Sequence, residues 1–253
     1  MPNATWCPWN YFRTSGDVAA SYDSVVGNLQ TTIKWAKAGL SRPGCWGCKC
    51  HREPPRAPKT APPKNKPEPK SYHSLNPNQT DPDMLEVGCA HGPHGNGDPG
   101  LNDYEMYAHF GAWCIVSSPL ILSHDVNNQT MMDRVWPLIS NKEAIAVNQA
   151  WAGFSGSVFL AAPSETVNFK SGAVPAWQFW NKPVGGGNIA VLMMNHASTA
   201  ATLELPLAQV PDLNSANAKV RDIWAQKDLG TFQTQYQVML QPHQSAFLML
   251  SAA

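Results

Sequence analysis

Two short segments carry acidic side chains whose spacing could support catalysis. In the first, residues 13–17 read RTSGD, so Arg13 precedes Asp17 by four positions, directly after the aromatic stretch at residues 9–12. At the end of a strand in a parallel barrel, such a pair could act as a substrate anchor and a general acid/base. On spacing alone, the alternative is a surface ion pair at a turn.

The second acidic segment is residues 81–87, DPDMLEV, which we interpret as a short strand. From this segment we expect that only one of Asp81 and Asp83 points inward. The alternative is a turn formed by the Asp-Pro pair, with no role in chemistry.

Two groups of residues have the chemistry of metal ligands. They are Cys45, Cys48, Cys50 and His51, and then Cys89, His91 and His94. Zinc sites usually combine two separated ligand pairs supported by a small fold, whereas the first group is crowded into a proline-rich stretch and the second lies in a glycine-rich loop. We therefore predict no metal site, and the absence of a phosphate loop or dinucleotide fingerprint predicts no cofactor.

The first part of the chain alternates strand and helix patterns, which is typical of a parallel α/β arrangement. Predicted helices cover 21–39, 102–116 from a capping box at Asn102 and Glu105, 130–139 and 142–147, with a fully buried strand at 119–122. After Gly153 the hydrophobic period changes to two. Strands are predicted at 157–161, 166–169, 174–181, 188–195, 201–205, 219–225, 235–240 and 244–251, which indicates an antiparallel sandwich.

Residues 40–80 differ in composition from the rest. The chain has 18 basic and 18 acidic residues, but this stretch holds eight basic and two acidic residues, together with nine of the 22 prolines. Few large apolar residues remain to be buried there, so we predict a disordered insert. The domain boundaries follow as 1–39 and 81–152 for the α/β part, 40–80 for the insert and 153–253 for the β-domain.

The composition also excludes several classes of function. No apolar run reaches the roughly 18 residues of a membrane span, and the first residues lack a signal-peptide pattern, so localisation stays open and no membrane partner is expected. Charged residues are 14% of the chain and no basic face lies outside the insert, which argues against nucleic acid. Ten tryptophans with few charges favour a sugar or another small polar ligand.

Five sequence blocks, in order, resemble the melibiase-type α-galactosidases, the retaining glycoside hydrolases related to the α-N-acetylgalactosaminidases. The blocks are FRTSGD at 12–17, DPDMLEVG at 81–88, NDYEMYAHFGAW at 102–113, SPLILSHDV at 118–126 and AIAVNQ at 144–149. The resemblance implies about the last three strands of a (β/α)8 barrel followed by an antiparallel β-sandwich, that is, α/β plus all-β. It further implies Asp17 as the general acid/base, with Arg13, Asp83 and Met84 contacting the sugar.

The sequence also departs from the pattern of that family. The family's nucleophile lies in a Lys-Tyr-Asp block on the fourth strand, and no such block occurs in this sequence. We therefore expect hydrolysis of α-galactosides only together with a missing N-terminal half, and no activity from this chain alone, because the retaining mechanism needs two carboxylates. The alternative function is a non-enzymatic β-sandwich that binds carbohydrate, and the alternative substrate is an α-N-acetylgalactosaminide. The resemblance also implies a secreted, lysosomal or vacuolar location, frequent dimers and disulfide bonds whose pairing stays open.

Overall fold

A computed structural model describes residues 11–37, 79–89 and 100–253. The first part contains strands β1 (Tyr11–Arg13) and β2 (Gln79–Asp81) and helices α1 (Tyr22–Lys37), α2 (Asp103–Ile115), α3 (Gln129–Ile139) and α4 (Lys142–Gln149). The second part contains β3 (Ser157–Ala161), β4 (Thr166–Phe169), β5 (Gly172–Pro175), β6 (Trp177–Gly185), β7 (Asn188–Asn195), β8 (Ala201–Pro206), β9 (Asn217–Asp222), β10 (Lys227–Gln233), β11 (Gln235–Leu240) and β12 (Ser245–Ala252). A short 3-10 helix, Leu207–Gln209, follows β8.

The first part is built on parallel backbone pairing. Strand β1 pairs in parallel with β2, in a register that places Arg13 opposite Asp81. Further along, Leu85 forms a parallel bridge to Leu122, and its amide donates to the carbonyl of Ile121 over 2.8 Å. Three successive segments therefore run in the same direction, which brings the loops after their carboxyl ends to one side. The described residues do not form a closed barrel.

Local signals set the starts of the helices that cover these strands. Helix α2 begins with the predicted capping box, in which the Asn102 side chain accepts from the Glu105 amide and Glu105 accepts from the Asn102 amide. Helix α3 was predicted to start with Thr130 as its cap, but the cap lies two residues earlier, because Asn128 accepts from the amide of Met131. Asparagine is at least as good an N-cap as threonine, so the earlier residue starts the helix.

The β-domain is an antiparallel sandwich, as the change of period predicts. Its main sheet has six strands in the order β10-β9-β12-β7-β6-β3, and a smaller sheet pairs β11 with β8. Strands β4 and β5 form a separate hairpin. The sequence pattern missed β10, because its residues are mostly exposed and polar and so show no alternation.

The central strands of the main sheet are buried on both faces. One face, which includes Trp180, Leu192 and Phe247, packs into the same core as helices α1, α2 and α4. The other face, which includes Phe179 and Leu248, packs against β8 and β11. The sandwich therefore lies between the helices and its own second sheet, and the helical layer and the sandwich share one core.

One strand prediction is wrong in its burial. Residues 119–122 were expected to be a fully buried strand, but Ile121 and Leu122 are exposed by 42% and 37%. Within the described residues this segment pairs only with Leu85, so no further strand lies beside it to cover these side chains. The insert predicted at 40–80 lies outside the described residues except for its last two positions. No helix in the described ranges is long and apolar enough to cross a membrane.

Candidate active site

The two acidic segments meet at one arginine. The Nη2 atom of Arg13 lies 2.9 Å from Asp17 Oδ1 and 2.5 Å from Asp83 Oδ2, and it also donates to the carbonyl of Gly16. Arg13 is the last residue of β1, and Asp83 follows the end of β2, so the parallel pairing of these strands brings the three side chains together. The ion pair of Arg13 and Asp17 is therefore part of a larger cluster and not an isolated pair at a turn.

Asp83 is held by hydrogen bonds at its carboxylate, its backbone amide and its backbone carbonyl. Its carboxylate accepts from Arg13 and from the amide of Val18 over 2.7 Å, and its own amide donates to Asp81 Oδ1 over 2.9 Å. The indole of Trp113 donates to the Asp83 carbonyl over 2.6 Å. The residue has a φ of 91°, a conformation that L-residues rarely adopt and that persists only where surrounding contacts impose it.

The structure does not separate the two aspartates as expected. Residues two positions apart in a strand share a face, and here β2 ends at Asp81 and the chain turns at Asp83. Both side chains consequently take part in the cluster: Asp81 binds the amide of Asp83, and Asp83 binds Arg13. Burial raises the pKa of the Asp81 carboxyl above its usual range.

The three predicted polar residues differ in their access to solvent. The Asp17 side chain is 68% exposed, that of Arg13 is 39% exposed and that of Asp83 is 12% exposed. An accessible carboxylate beside a cation can exchange a proton with a bound molecule, whereas a mostly buried one held by two donors serves to orient its neighbours. Met84, which follows Asp83, is also exposed and presents an apolar surface next to the cluster.

Two residues in the cluster were missed by the sequence interpretation. The Asn28 side chain donates to the carbonyls of Gly16 and Pro82, and the Trp113 indole donates to Asp83. Trp113 lies within a block that the family resemblance covers, so its position in the motif was the available signal. Asn28 lies in a helical segment without a motif, and only the three-dimensional contacts reveal it.

Other reactive side chains lie apart from this cluster. The described cysteines, Cys89 and Cys114, are free thiols, and burial raises the pKa of Cys89 to about 12. Cys89 contacts Ser123 Oγ over 3.4 Å and lines a cavity of about 260 Å³ with His124. Within the described ranges, no three His, Cys, Asp or Glu side chains are grouped so that they could hold a metal ion. The Cys45 group, His91 and His94 lie outside those ranges.

In this chain carboxylates and an arginine meet at the ends of parallel strands, and an antiparallel β-sandwich follows them. Residues 175–250 match the family model of the α-galactosidase C-terminal β-sandwich domain. α-Galactosidase 2 of Arabidopsis thaliana is 28% identical over 244 residues, covering 95% of this chain and 46% of that protein. The α-galactosidase of Oryza sativa subsp. japonica is 26% identical and covers 98% of this chain and 46% of that protein.

A solved structure extends this comparison to the fold. α-Galactosidase I from Mortierella vinacea superposes with a TM-score of 0.65 at 22% identity, over 96% of this chain and 53% of that one. The resemblance of the chain to the melibiase-type α-galactosidases, which are glycoside hydrolases, is thereby confirmed. The chain spans about half the length of the curated relatives it matches.

Proposed function

We propose that this chain supplies the acid/base and sugar-contacting part of an α-galactosidase active site that hydrolyses terminal α-galactosides. The observation that carries the proposal is the convergence of Asp17 and Asp83 on Arg13 at the ends of two parallel strands. In the family that this chain resembles, the residue at the position of Asp17 is the acid/base. The residues at the positions of Arg13, Asp83 and Met84 contact the sugar. Under this proposal the parallel strands form part of a (β/α)8 barrel.

The exposure of each group fits its proposed role. Asp17 is accessible to solvent and accepts a hydrogen bond from Arg13, so it can donate a proton to a leaving oxygen and later take one from water. Arg13 provides up to five donors, of which the Nη2 group already fixes the two carboxylates. The Val18 amide fixes the carboxylate of Asp83, so this residue forms a rigid side of the proposed sugar site.

The proposed mechanism needs a second carboxylate as nucleophile. Retaining glycosidases place nucleophile and acid/base roughly 5–5.5 Å apart, and the nucleophile forms a covalent glycosyl intermediate. Asp83 is committed to Arg13 and Val18 and is not free for that attack. We therefore propose that the nucleophile comes from sequence outside these 253 residues, on strands that complete the barrel.

The test is an assay of the chain alone and of a complemented enzyme. The purified 253-residue chain should give no measurable hydrolysis of a nitrophenyl α-galactoside. Mixed or fused with the N-terminal barrel portion of the Arabidopsis relative, it should give turnover that Asp17→Asn abolishes and Asp125→Asn leaves unchanged, because Asp125 lies outside the cluster. Turnover by the chain alone that Asp17→Asn abolishes would overturn the proposed division of the site.

The same assay tests the choice of sugar. We propose galactose as the recognised sugar, and a nitrophenyl α-N-acetylgalactosaminide serves as the comparison substrate. If the complemented enzyme turned over the N-acetylated substrate faster, the proposed substrate class would be α-N-acetylgalactosaminides and not α-galactosides. Absence of turnover on both, with retained binding of galactose to the β-domain, would favour a carbohydrate-binding function instead.

A further inference from the structure

We propose that Asn28 is a positioning residue that locks the two loops of the candidate site to helix α1. The proposal rests on the proposed function, in which Asp17 and Asp83 belong to one sugar site. The side-chain amide of Asn28 uses both of its hydrogens: Nδ2 donates to the Gly16 carbonyl over 3.1 Å and to the Pro82 carbonyl over 3.0 Å. One side chain thus contacts two loops that are more than 60 residues apart in sequence.

The two accepting carbonyls belong to the peptide groups that directly precede the acidic residues. The carbonyl of Gly16 is part of the peptide joined to Asp17, and that of Pro82 is part of the peptide joined to Asp83. Because a peptide group is planar, fixing its carbonyl fixes the direction from which the next residue leaves. Asn28 therefore sets the starting orientation of both carboxylate-bearing residues at once.

Direct contacts already tie the loops to each other. The Thr14 amide donates to the Asp81 carbonyl over 2.9 Å, and the Val18 amide donates to Asp83. Each loop also has a bond to a helix, from Thr31 of α1 to Thr14 and from Trp113 of α2 to the Asp83 carbonyl. Asn28 differs in bonding both loops at once, from a helix whose other side is packed in the core, and a site held on a rigid element is more exact than one held by loops.

The identity of residue 28 is consistent with this role. Asparagine has a lower helix propensity than leucine or glutamine, so a mid-helix position gives it no local advantage. Gln30, two residues later, makes a different contact, because its amide exchanges two hydrogen bonds with Gln178 of the sandwich. The same helix thus has one amide that binds the site loops and one that binds the β-domain.

Amide hydrogen exchange on the full chain tests the proposal. Asn28→Asp keeps the shape and removes both donors, and Asn28→Leu does so without adding charge and with a better helix former. In both variants the Val18 amide should exchange about tenfold faster, the scale of one lost hydrogen bond. The NMR signals of the Arg13 guanidinium should also collapse towards a single averaged signal as its fixed bonds to Asp17 and Asp83 loosen.

Gln30→Glu and Gln30→Leu are the matched controls, since they make the same chemical changes on the same helix. They should leave Val18 exchange and the Arg13 signals unchanged, and the Leu192 amide in the sandwich should stay protected in all four variants. Unchanged Val18 exchange in Asn28→Leu, or equal acceleration in the Gln30 variants, would overturn the proposal. The exchange readout is independent of hydrolysis, so failure of the complemented enzyme would reject the proposed function without deciding this inference.

Discussion

Asp17 and Asp83 bind the same guanidinium group, yet they contribute differently to the stability of the fold because their burial differs. Asp17 is largely exposed, and its ion pair with Arg13 is screened by water. Asp83 is mostly buried and also accepts from the Val18 amide. Removing a buried acceptor leaves its donors unsatisfied, which costs more than the hydrogen bond itself contributes.

The first prediction follows from this contrast. Asp83→Ala should lower the free energy of unfolding by about 2–3 kcal/mol, because Arg13 and Val18 lose their shared acceptor. Asp17→Ala should change it by less than ~1 kcal/mol. Urea unfolding followed by tryptophan fluorescence measures both values, and equal losses in the two variants would contradict the assigned difference in burial.

How far single residues could be predicted depended on the range of their contacts. Arg13, Asp17 and Asp83 were predicted because a motif contains them, and the structure brings all three together. The left-handed turn at Asp83 was not predictable from the period of a strand, since contacts from Val18 and Trp113 impose it. The prediction of no metal site rests on spacing alone, and most residues of the two metal-ligand groups lie outside the described ranges.

At the scale of elements, a buried lysine joins the helical layer to the sandwich. Lys182 in β6 is fully buried, and its Nζ donates to the carbonyls of Val147 and Asn148 at the end of α4. Burial lowers the pKa of Lys182 from 10.5 to about 7. A neutral amine still has two N–H groups, which match the two carbonyls, so loss of the proton need not break either bond.

The second prediction is the resulting pH dependence. Between pH 7 and about 10 the unfolded chain keeps the proton of Lys182 while the folded chain has lost it, so this residue makes stability rise with pH. The free energy of unfolding of the wild type, minus that of Lys182→Met, should increase by about 2 kcal/mol from pH 7 to pH 9. Taking the difference reduces the opposing contribution of the buried Cys114 thiol, whose pKa is raised by burial and lowered by the nearby Lys182. A flat or falling difference curve would show that Lys182 stays charged when folded.

The third prediction concerns the point where the chain passes from helix α4 towards the sandwich. The Gly156 amide donates to the Ile115 carbonyl at the end of α2, and a Cβ added at Gly156 would lie 2.1 Å from that oxygen. Gly156→Ala should therefore destabilise the protein by about 3 kcal/mol, since backbone must shift. Gly16→Ala is the control, because nothing lies within 4 Å of a Cβ there, and thermal unfolding should be within a few degrees of wild type. A wild-type melting temperature for Gly156→Ala would contradict the close approach.

Elements with local signals were predicted well, and those that depend on neighbours were not. The capping box set the start of α2, a continuous apolar run gave the bounds of β7, and alternation gave those of β11. Strand β10 lacks alternation because it lies at the edge of its sheet. The expected burial of residues 119–122 depended on neighbours that the described residues do not provide.

At the scale of the whole molecule, a polar network crosses between the helices and the sandwich. Tyr22 of α1 bonds His196 over 2.9 Å and stacks on the ring of His243, with centroids 4.1 Å apart. His243 Nδ1 lies 2.6 Å from Glu105 Oε1, the residue that also closes the capping box of α2. Burial, reinforced by His243, lowers the pKa of His196 to about 3, so His196 is neutral at physiological pH. The start of each long helix is thus attached to the β-domain.

The polar network and the shared core indicate that the sandwich does not fold independently but depends on its packing against the helices. The face of the main sheet that packs on the helices carries Trp180, Leu192, Met194 and Phe247, all completely buried. Gly111 of α2 lies so close to this face that an added Cβ would be 2.9 Å from both Leu192 and Trp224. Without the helices, a contiguous apolar surface would face water, and such patches cause association.

The last prediction is that the β-domain does not form a stable monomer by itself. A chain of residues 154–253 should bind a hydrophobic dye and elute as soluble aggregate in size-exclusion chromatography, whereas the full chain should do neither. Replacing Leu192 and Phe247 by serine in the isolated piece should reduce dye binding, because both side chains belong to the newly exposed face. The matched control is the same double replacement at Leu203 and Leu205, which belong to the second sheet, lie in its core with the main sheet and should unfold the piece instead. A cooperatively folded monomer of residues 154–253 would contradict the shared core and would favour a sandwich that functions independently of the helices.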